Sequence, residues 1–204
     1  MYLSFSELKD LVFNASLGSN LPAGACEDLS FAVTFLVARS LPGGKHFLNS
    51  LKCKRHPPIL PEKKGLNLIF NDARAVFEGV SAIDFLVSEV CENVILKNID
   101  SPMLLVGLAS NYSGQSFSFY NNKGIYAELF NAELHWENEN YLNSNDVEIR
   151  LEHSEPGAPL AKRTRMLLDN NIFKELTSLA SRMLVPESEL SRATGAGAGN
   201  IDND

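Results

Sequence analysis

No run of apolar residues in this chain is long enough to cross a bilayer. The longest, around Phe31 to Ala38, is interrupted by Thr34 and closed by Arg39, well short of the ~20 residues a spanning helix requires. The start, Met1-Tyr-Leu-Ser-Phe-Ser-Glu7, has no basic region and passes at once into an amphipathic pattern, so no secretory leader is expected. Cysteine is scarce: Cys26, Cys53 and Cys91 are odd in number, widely spaced and without a CxxC pair. That fits reduced thiols in a cytoplasm, the expected location, better than a disulfide framework. His46, His56, His135 and His153 show no i, i+4 or CxxC-like pairing, so no metal site is expected. The GxSxG, phosphate-loop and HExxH motifs are missing, which removes the familiar enzyme classes without excluding an enzyme. No motif names a cofactor, and no internal repeat of fixed period is present. Positive net charge is missing too. At −7 and a pI of about 5.1, nucleic acid is not an expected partner, nor is a membrane.

What is present is ordinary globular composition. The 204 residues are 45% hydrophobic and 21% charged, enough to bury a core, and residues 1–204 are expected to form one domain. Ser4 with Glu7 makes a capping box, and Phe5, Leu8, Leu11, Val12 and Ala15 follow at helical spacing until Gly18. A second helix is expected from about Pro22 to Leu41, with Cys26, Leu29, Ala32, Val33, Leu36 and Val37 as its apolar stripe. The short link between the two predicts a helical hairpin.

From Pro42 to Gly65, Gly43-Gly44 and Pro57, Pro58 and Pro61 argue against long regular elements, with one or two helical turns at most over 45–53. This basic stretch sets Lys45, Lys52, Lys54, Arg55, Lys63 and Lys64 against Glu62. Strands are expected at 66–70, 93–97, 102–109, 116–120, 125–129, 130–136, 146–152 and 163–168, with Asn121-Asn-Lys-Gly124 as a hairpin turn. Ser81 is read as the cap of a short helix, and a last helix is expected from about Asn171 to Met183, before Pro186. The fold class is therefore α+β: an N-terminal helical hairpin and a C-terminal helix packed on a largely antiparallel sheet covered on one face.

Few residues carry chemistry on their own. Gly195, Gly197 and Gly199 alternate with alanine, a spacing that allows close backbone approach or an anion-binding nest. It is not a dinucleotide fingerprint, and composition alone reads equally as a disordered tail. Arg192 beside it offers a planar two-donor fork for a carboxylate or phosphate, or a surface ion pair with Glu187 or Glu189. Asp202 and Asp204 present oxygens to a hard cation or to water. Cys53, within Lys52-Cys-Lys-Arg-His56, has the cationic setting of a reactive thiol but no oriented base in sequence. Glu27-Asp28 on the second helix either face water or supply an acid or base to a cleft.

The C-terminal run Arg182-Met-Leu-Val-Pro-Glu-Ser-Glu-Leu-Ser-Arg-Ala-Thr-Gly-Ala-Gly-Ala-Gly-Asn-Ile-Asp-Asn-Asp204 resembles the signature of a bacterial family catalogued as domain of unknown function 3726. That signature reads R-T-Y-V-P-x-S-x-x-S-R-x-x-G-A-G-A-G-x-x-D-N-D; Met183 and Leu184 replace its Thr-Tyr. Leu21–Glu27 and Glu78–Leu86 resemble two further segments of the family, the second with Val80 in place of proline. The resemblance implies no reaction, substrate or cofactor. It does imply an ordered tail, which makes Ser188, Ser191, Arg192, Gly195, Gly197, Gly199, Asp202 and Glu27 the candidate ligand-binding residues. The expected function is binding of a small anionic metabolite near the glycine-rich segment. The alternatives are an enzyme using Ser188, Ser191, Arg192 and Asp202, or a structural homodimer locked by its tail.

Overall fold

The computed structural model of the chain describes residues 1–53, 58–136, 145–152 and 158–183. Its elements, in order, are β1 (Tyr2–Leu3), α1 (Phe5–Leu17), α2 (Ala23–Ala38), α3 (Gly43–Lys52), β2 (Glu62–Lys64), β3 (Asn67–Phe70), α4 (Val80–Val87), β4 (Asn93–Leu96), α5 (Pro102–Ala109), β5 (Phe117–Asn121), β6 (Gly124–Phe130), β7 (Glu133–Trp136), β8 (Val147–Leu151), β9 (Met166–Leu167) and α6 (Asn170–Ala180). A π turn, Ala75–Gly79, leads into α4, and a 3-10 turn, Ser181–Met183, follows α6. The α+β reading holds. No helix among the described residues is long and apolar enough to cross a membrane.

The capping box forms as expected. Glu7 N–H donates to Ser4 Oγ at 3.3 Å and Ser4 N–H donates to the Glu7 carboxylate at 2.8 Å, so two backbone donors are satisfied reciprocally. α1 and α2 pack as a hairpin, and all six residues of the α2 stripe are buried. Gly18 does end α1, though not through a left-handed turn, since its φ is −65°. A Cβ there would lie 2.0 Å from Leu179 O, so glycine is what lets α6 approach the end of α1.

Three expectations are corrected. Gly43-Gly44 begin a ten-residue helix instead of breaking one. A Cβ on Gly43 would sit 2.8 Å from Leu36 Cβ, and one on Gly44 2.9 Å from Ile172 Cγ2, so the pair seats α3 between α2 and α6. The basic stretch thus starts as a packed helix, with Phe47, Leu48 and Ser50 buried and Lys45 and Lys52 exposed. Ser81 is not a cap, because the π turn carries the chain into α4 one turn earlier. Residues 102–109 form helix α5 instead of a strand. All eight of its residues are buried, and an apolar run without an exposed face has no periodicity to read.

The sheet has seven strands in the order β2-β3-β4-β8-β5-β6-β7. Every pair is antiparallel except β3–β4, which is parallel. β8 therefore does not pair with β7, which precedes it in the chain; it inserts between β4 and β5. The hairpin turn at 121–124 is as expected, with Asn121 facing Gly124, whose φ of +119° suits glycine. β1 and β9 form a separate two-stranded ribbon. One face of the main sheet presents Val94, Ile149, Phe119 and Leu129 to the core. The other is half-exposed at Asn93, Glu148 and Arg150, but buried at Ser118, Glu128 and His135, so cover is not confined to one side.

α5 lies against α2 at Gly107, where a Cβ would meet Ala32 O at 2.7 Å. Gly107→Ala should therefore cost about 1–3 kcal/mol, the usual penalty of overpacking. Gly24→Ala, in the first turn of α2 with nothing within 4 Å of its Cβ, should be neutral or stabilising by up to ~1 kcal/mol. Urea midpoints of the two variants are expected to move in these different directions; a Gly107→Ala protein as stable as the parent would contradict the packing.

Candidate functional site

Seven of the eight candidate residues, Ser188, Ser191, Arg192, Gly195, Gly197, Gly199 and Asp202, lie outside the described residues, as does Pro186. The eighth, Glu27, is exposed on α2. Its neighbour Asp28 stands near Asp84 of α4, with Asn111 Nδ2 donating to the Asp28 carbonyl at 3.2 Å and Tyr112 OH donating to Asp84. Burial first, then Asp84 and Glu27, raises the Asp28 carboxyl above its ordinary value. Burial and the Asp84 hydrogen bond push the Tyr112 phenol well up. This acidic surface repels an anion.

A cavity of the opposite sign lies where α1 ends, between α3, the π turn and α6. Its volume is about 470 Å³, and Ser50, Lys52, Arg74, Phe77, Glu175 and Arg182 are among its lining residues. Lys52 Nζ is 2.6 Å from Glu175, a bridge that joins α3 to α6 at the rim. The Arg74 guanidinium stacks over the Phe77 ring at 4.3 Å. Its Nε is buried yet has no hydrogen-bond partner among the described residues. Three cations thus face one carboxylate, in a chain whose net charge is −7.

The free backbone donors at the start of the π turn are already occupied. Arg74 N–H donates to Glu78 Oε2 at 2.7 Å, Ala75 N–H to Asp100 Oδ1 at 3.0 Å, and Val76 N–H to Ser50 Oγ at 3.3 Å. Ser50 Oγ in turn donates to Asp100 Oδ2 at 2.9 Å. Glu78, almost fully buried, also accepts from Ile59 N–H at 2.9 Å. No backbone nest is therefore on offer there, and any pull on an anion comes from the Lys52, Arg74 and Arg182 side chains. Sequence reasoning missed Arg74, Ser50 and Asp100, which belong to no motif. Arg182 was visible only as the first residue of the C-terminal signature.

The thiols of Cys26, Cys53 and Cys91 are free. Cys53 is half-buried directly after α3, and the cationic residues 54–56 that follow it lie outside the described residues. Among the described residues, no group of three or more His, Cys, Asp or Glu side chains is placed to hold a metal ion.

Comparison with known proteins bears on this site in one respect. The model of the family described as "Protein of unknown function (DUF3726)" matches residues 3–84, so the family resemblance holds over that span. The match takes in Ser50, Lys52 and Arg74 of the cavity but not residues 182–204, which carry the C-terminal signature. No curated protein matches the sequence. A crystal structure of malate dehydrogenase from Entamoeba histolytica is similar at 7% identity and a TM-score of 0.44, over 68% of this chain and 46% of that one. So slight a likeness bears on neither fold nor function.

The acidic surface yields a pH prediction. An unfolded aspartate titrates near ~3.9, and the folded Asp28 value is higher. Its contribution is therefore fully present below the unfolded value and is lost as pH rises through the folded one. Asp28→Asn should raise the urea midpoint near pH 7 more than at about pH 3. An equal change at both pH values would show that Asp28 ionisation does not strain the fold.

Proposed function

We propose that this protein binds a small anionic molecule, bearing phosphate or carboxylate, in the cavity between α3, the π turn and α6. The observation that carries the reading is the buried Nε of Arg74, without a hydrogen-bond partner among the described residues, in a cavity that Lys52 and Arg182 also line. A buried N–H without a partner costs roughly 1–3 kcal/mol, and an anion bound by the guanidinium edge removes that cost. A planar fork favours an oxyanion over a spherical ion. The Phe77 ring covers one guanidinium face, which directs binding to its edge. The Ser50 hydroxyl adds a polar contact to the same lining.

The glycine-rich segment fits this reading by its point of departure. The described chain stops at Met183, beside Arg182 on the cavity wall. Nine further residues, about 30 Å when extended, are enough to bring Arg192 over the same cavity. Ser188, Ser191, Arg192, Gly195, Gly197, Gly199 and Asp202 are proposed as the second wall of the site. Glu27, on the acidic surface and not among the cavity's lining residues, has no part in it.

Thermal melting with inorganic phosphate, citrate and a glycerol control tests the proposal. A ligand that binds only the folded state raises the melting temperature with concentration. Phosphate also stabilises proteins by exclusion from their surface, so the readout is the difference between parent and Arg74→Met. The parent should show a saturable rise, Arg74→Met at least a tenfold weaker one, and Arg74→Lys an intermediate one. Identical responses in the parent and a folded Arg74→Met protein would overturn the reading.

A further inference from the structure

Six polar residues stand in one row across the main sheet. The register pairs Asn67 with Asn93, Asn93 with Arg150, Arg150 with Ser118, Ser118 with Glu128, and Glu128 with His135. Directly opposed residues share a face, so these side chains project from the side opposite Val94, Ile149 and Phe119. At one end, Asn93 and Arg150 line an open cavity of about 630 Å³. At the other, Ser118 is fully buried and Glu128 and His135 are each only 7% exposed.

The two ends differ in how their polar groups are satisfied. Asn93 Nδ2 donates to Asn67 Oδ1 at 2.9 Å. Arg150 donates to Glu148 at 2.8 Å and to Glu152 at 3.3 Å, and stacks over the Tyr120 ring at 4.4 Å. Its charge is thereby spent along its own strand. Ser118 Oγ and both His135 ring nitrogens, by contrast, have no hydrogen-bond partner among the described residues. No Lys, Arg or His among the described residues forms an ion pair with Glu128. Unmet polar groups and a carboxylate without a cation are costly at such burial.

The arrangement narrows what satisfies it. Ser118 and His135 are two strand spacings apart, about 9.6 Å, with Glu128 between them. A serine nucleophile requires the imidazole beside it, so this is not an acyl-transfer dyad. A structural metal requires three or four strong ligands, and the described residues hold no such group. A primary ammonium carries one positive charge and three N–H donors. The Glu128 carboxylate, the Ser118 hydroxyl and a His135 ring nitrogen are three acceptors, with the carboxylate in the middle. Glu148 and Glu152 flank Arg150, and Glu133 shares the His135 face of β7, so the surrounding charge also favours a cation.

We propose that Ser118, Glu128 and His135 form a second site, which takes the primary ammonium group of a small organic cation. It is independent of the anion cavity and opposite to it in sign. Calorimetric titration of the full chain with methylammonium, ethylammonium and putrescine chlorides tests it, with tetramethylammonium chloride as a cation lacking N–H donors. Saturable binding of at least one primary ammonium is expected, none of tetramethylammonium, and a loss of at least tenfold in Glu128→Gln. Arg74→Met should leave this binding unchanged, which separates it from the anion reading. If Glu128→Gln does not fold by circular dichroism, Ser118→Ala and His135→Asn take its place, each expected to weaken binding severalfold. The proposal falls if no primary ammonium binds, if tetramethylammonium binds equally, if Zn²⁺ binds in place of the amines, or if the folded variants bind as the parent does.

Discussion

The carboxylate of Asp100 is the joint on which the cavity depends. One oxygen takes the Ser50 hydroxyl of α3 and the other the Ala75 N–H that opens the π turn. The next residue, Ser101, donates its hydroxyl to the His46 carbonyl, again on α3, at 2.9 Å. Two consecutive residues at the entry to α5 therefore hold α3 and the π turn in a fixed relation. Hydrogen bonds to a charged acceptor contribute about 1.5–3 kcal/mol each, and here they also set which side chains meet. Lys52 and Arg74 come from elements with no sequence proximity, and this joint brings them to the same cavity.

Net charge is a poor guide to such a molecule. The chain is acidic overall, yet the cavity beneath α6 sets three cations against one carboxylate, while the buried end of the row on the far face of the sheet holds Glu128, which forms no ion pair among the described residues. Local fields of both signs coexist because each is set by a few side chains at short range. The same holds for the helical donors. The π turn has the free N–H groups that often bind anions, but Glu78, Asp100 and Ser50 already satisfy them, so the recognition capacity lies in side chains instead.

Local physics made part of this legible in the sequence. The Ser4–Glu7 box, the apolar stripe of α2, the alternation in β5 and β6 and the turn between them involve residues a few positions apart, and each formed as read. α5 was not legible as a helix because burial on every side erased its period, although Pro102 in its first turn was an available signal. The glycines of α3 answer to Leu36 and Ile172, neighbours that only the tertiary fold supplies. The site was less legible still. Ser50 and Asp100 are 50 positions apart, and the row from Asn67 to His135 exists only because β8 inserts between β4 and β5. Of the eight residues read as a site, Glu27 alone falls within the described chain, and it sits in acidic surroundings.

The central claim is that the buried Nε–H of Arg74 is held for an anion. The most direct measurement is its proton–nitrogen NMR signal, followed as inorganic phosphate is titrated into the ¹⁵N-labelled protein. A hydrogen bond to an oxyanion should move the Arg74 Hε resonance downfield and slow its exchange with water, saturating along one binding curve. An Arg74 signal that stays in place at saturating phosphate, while other arginine signals shift, would contradict the account.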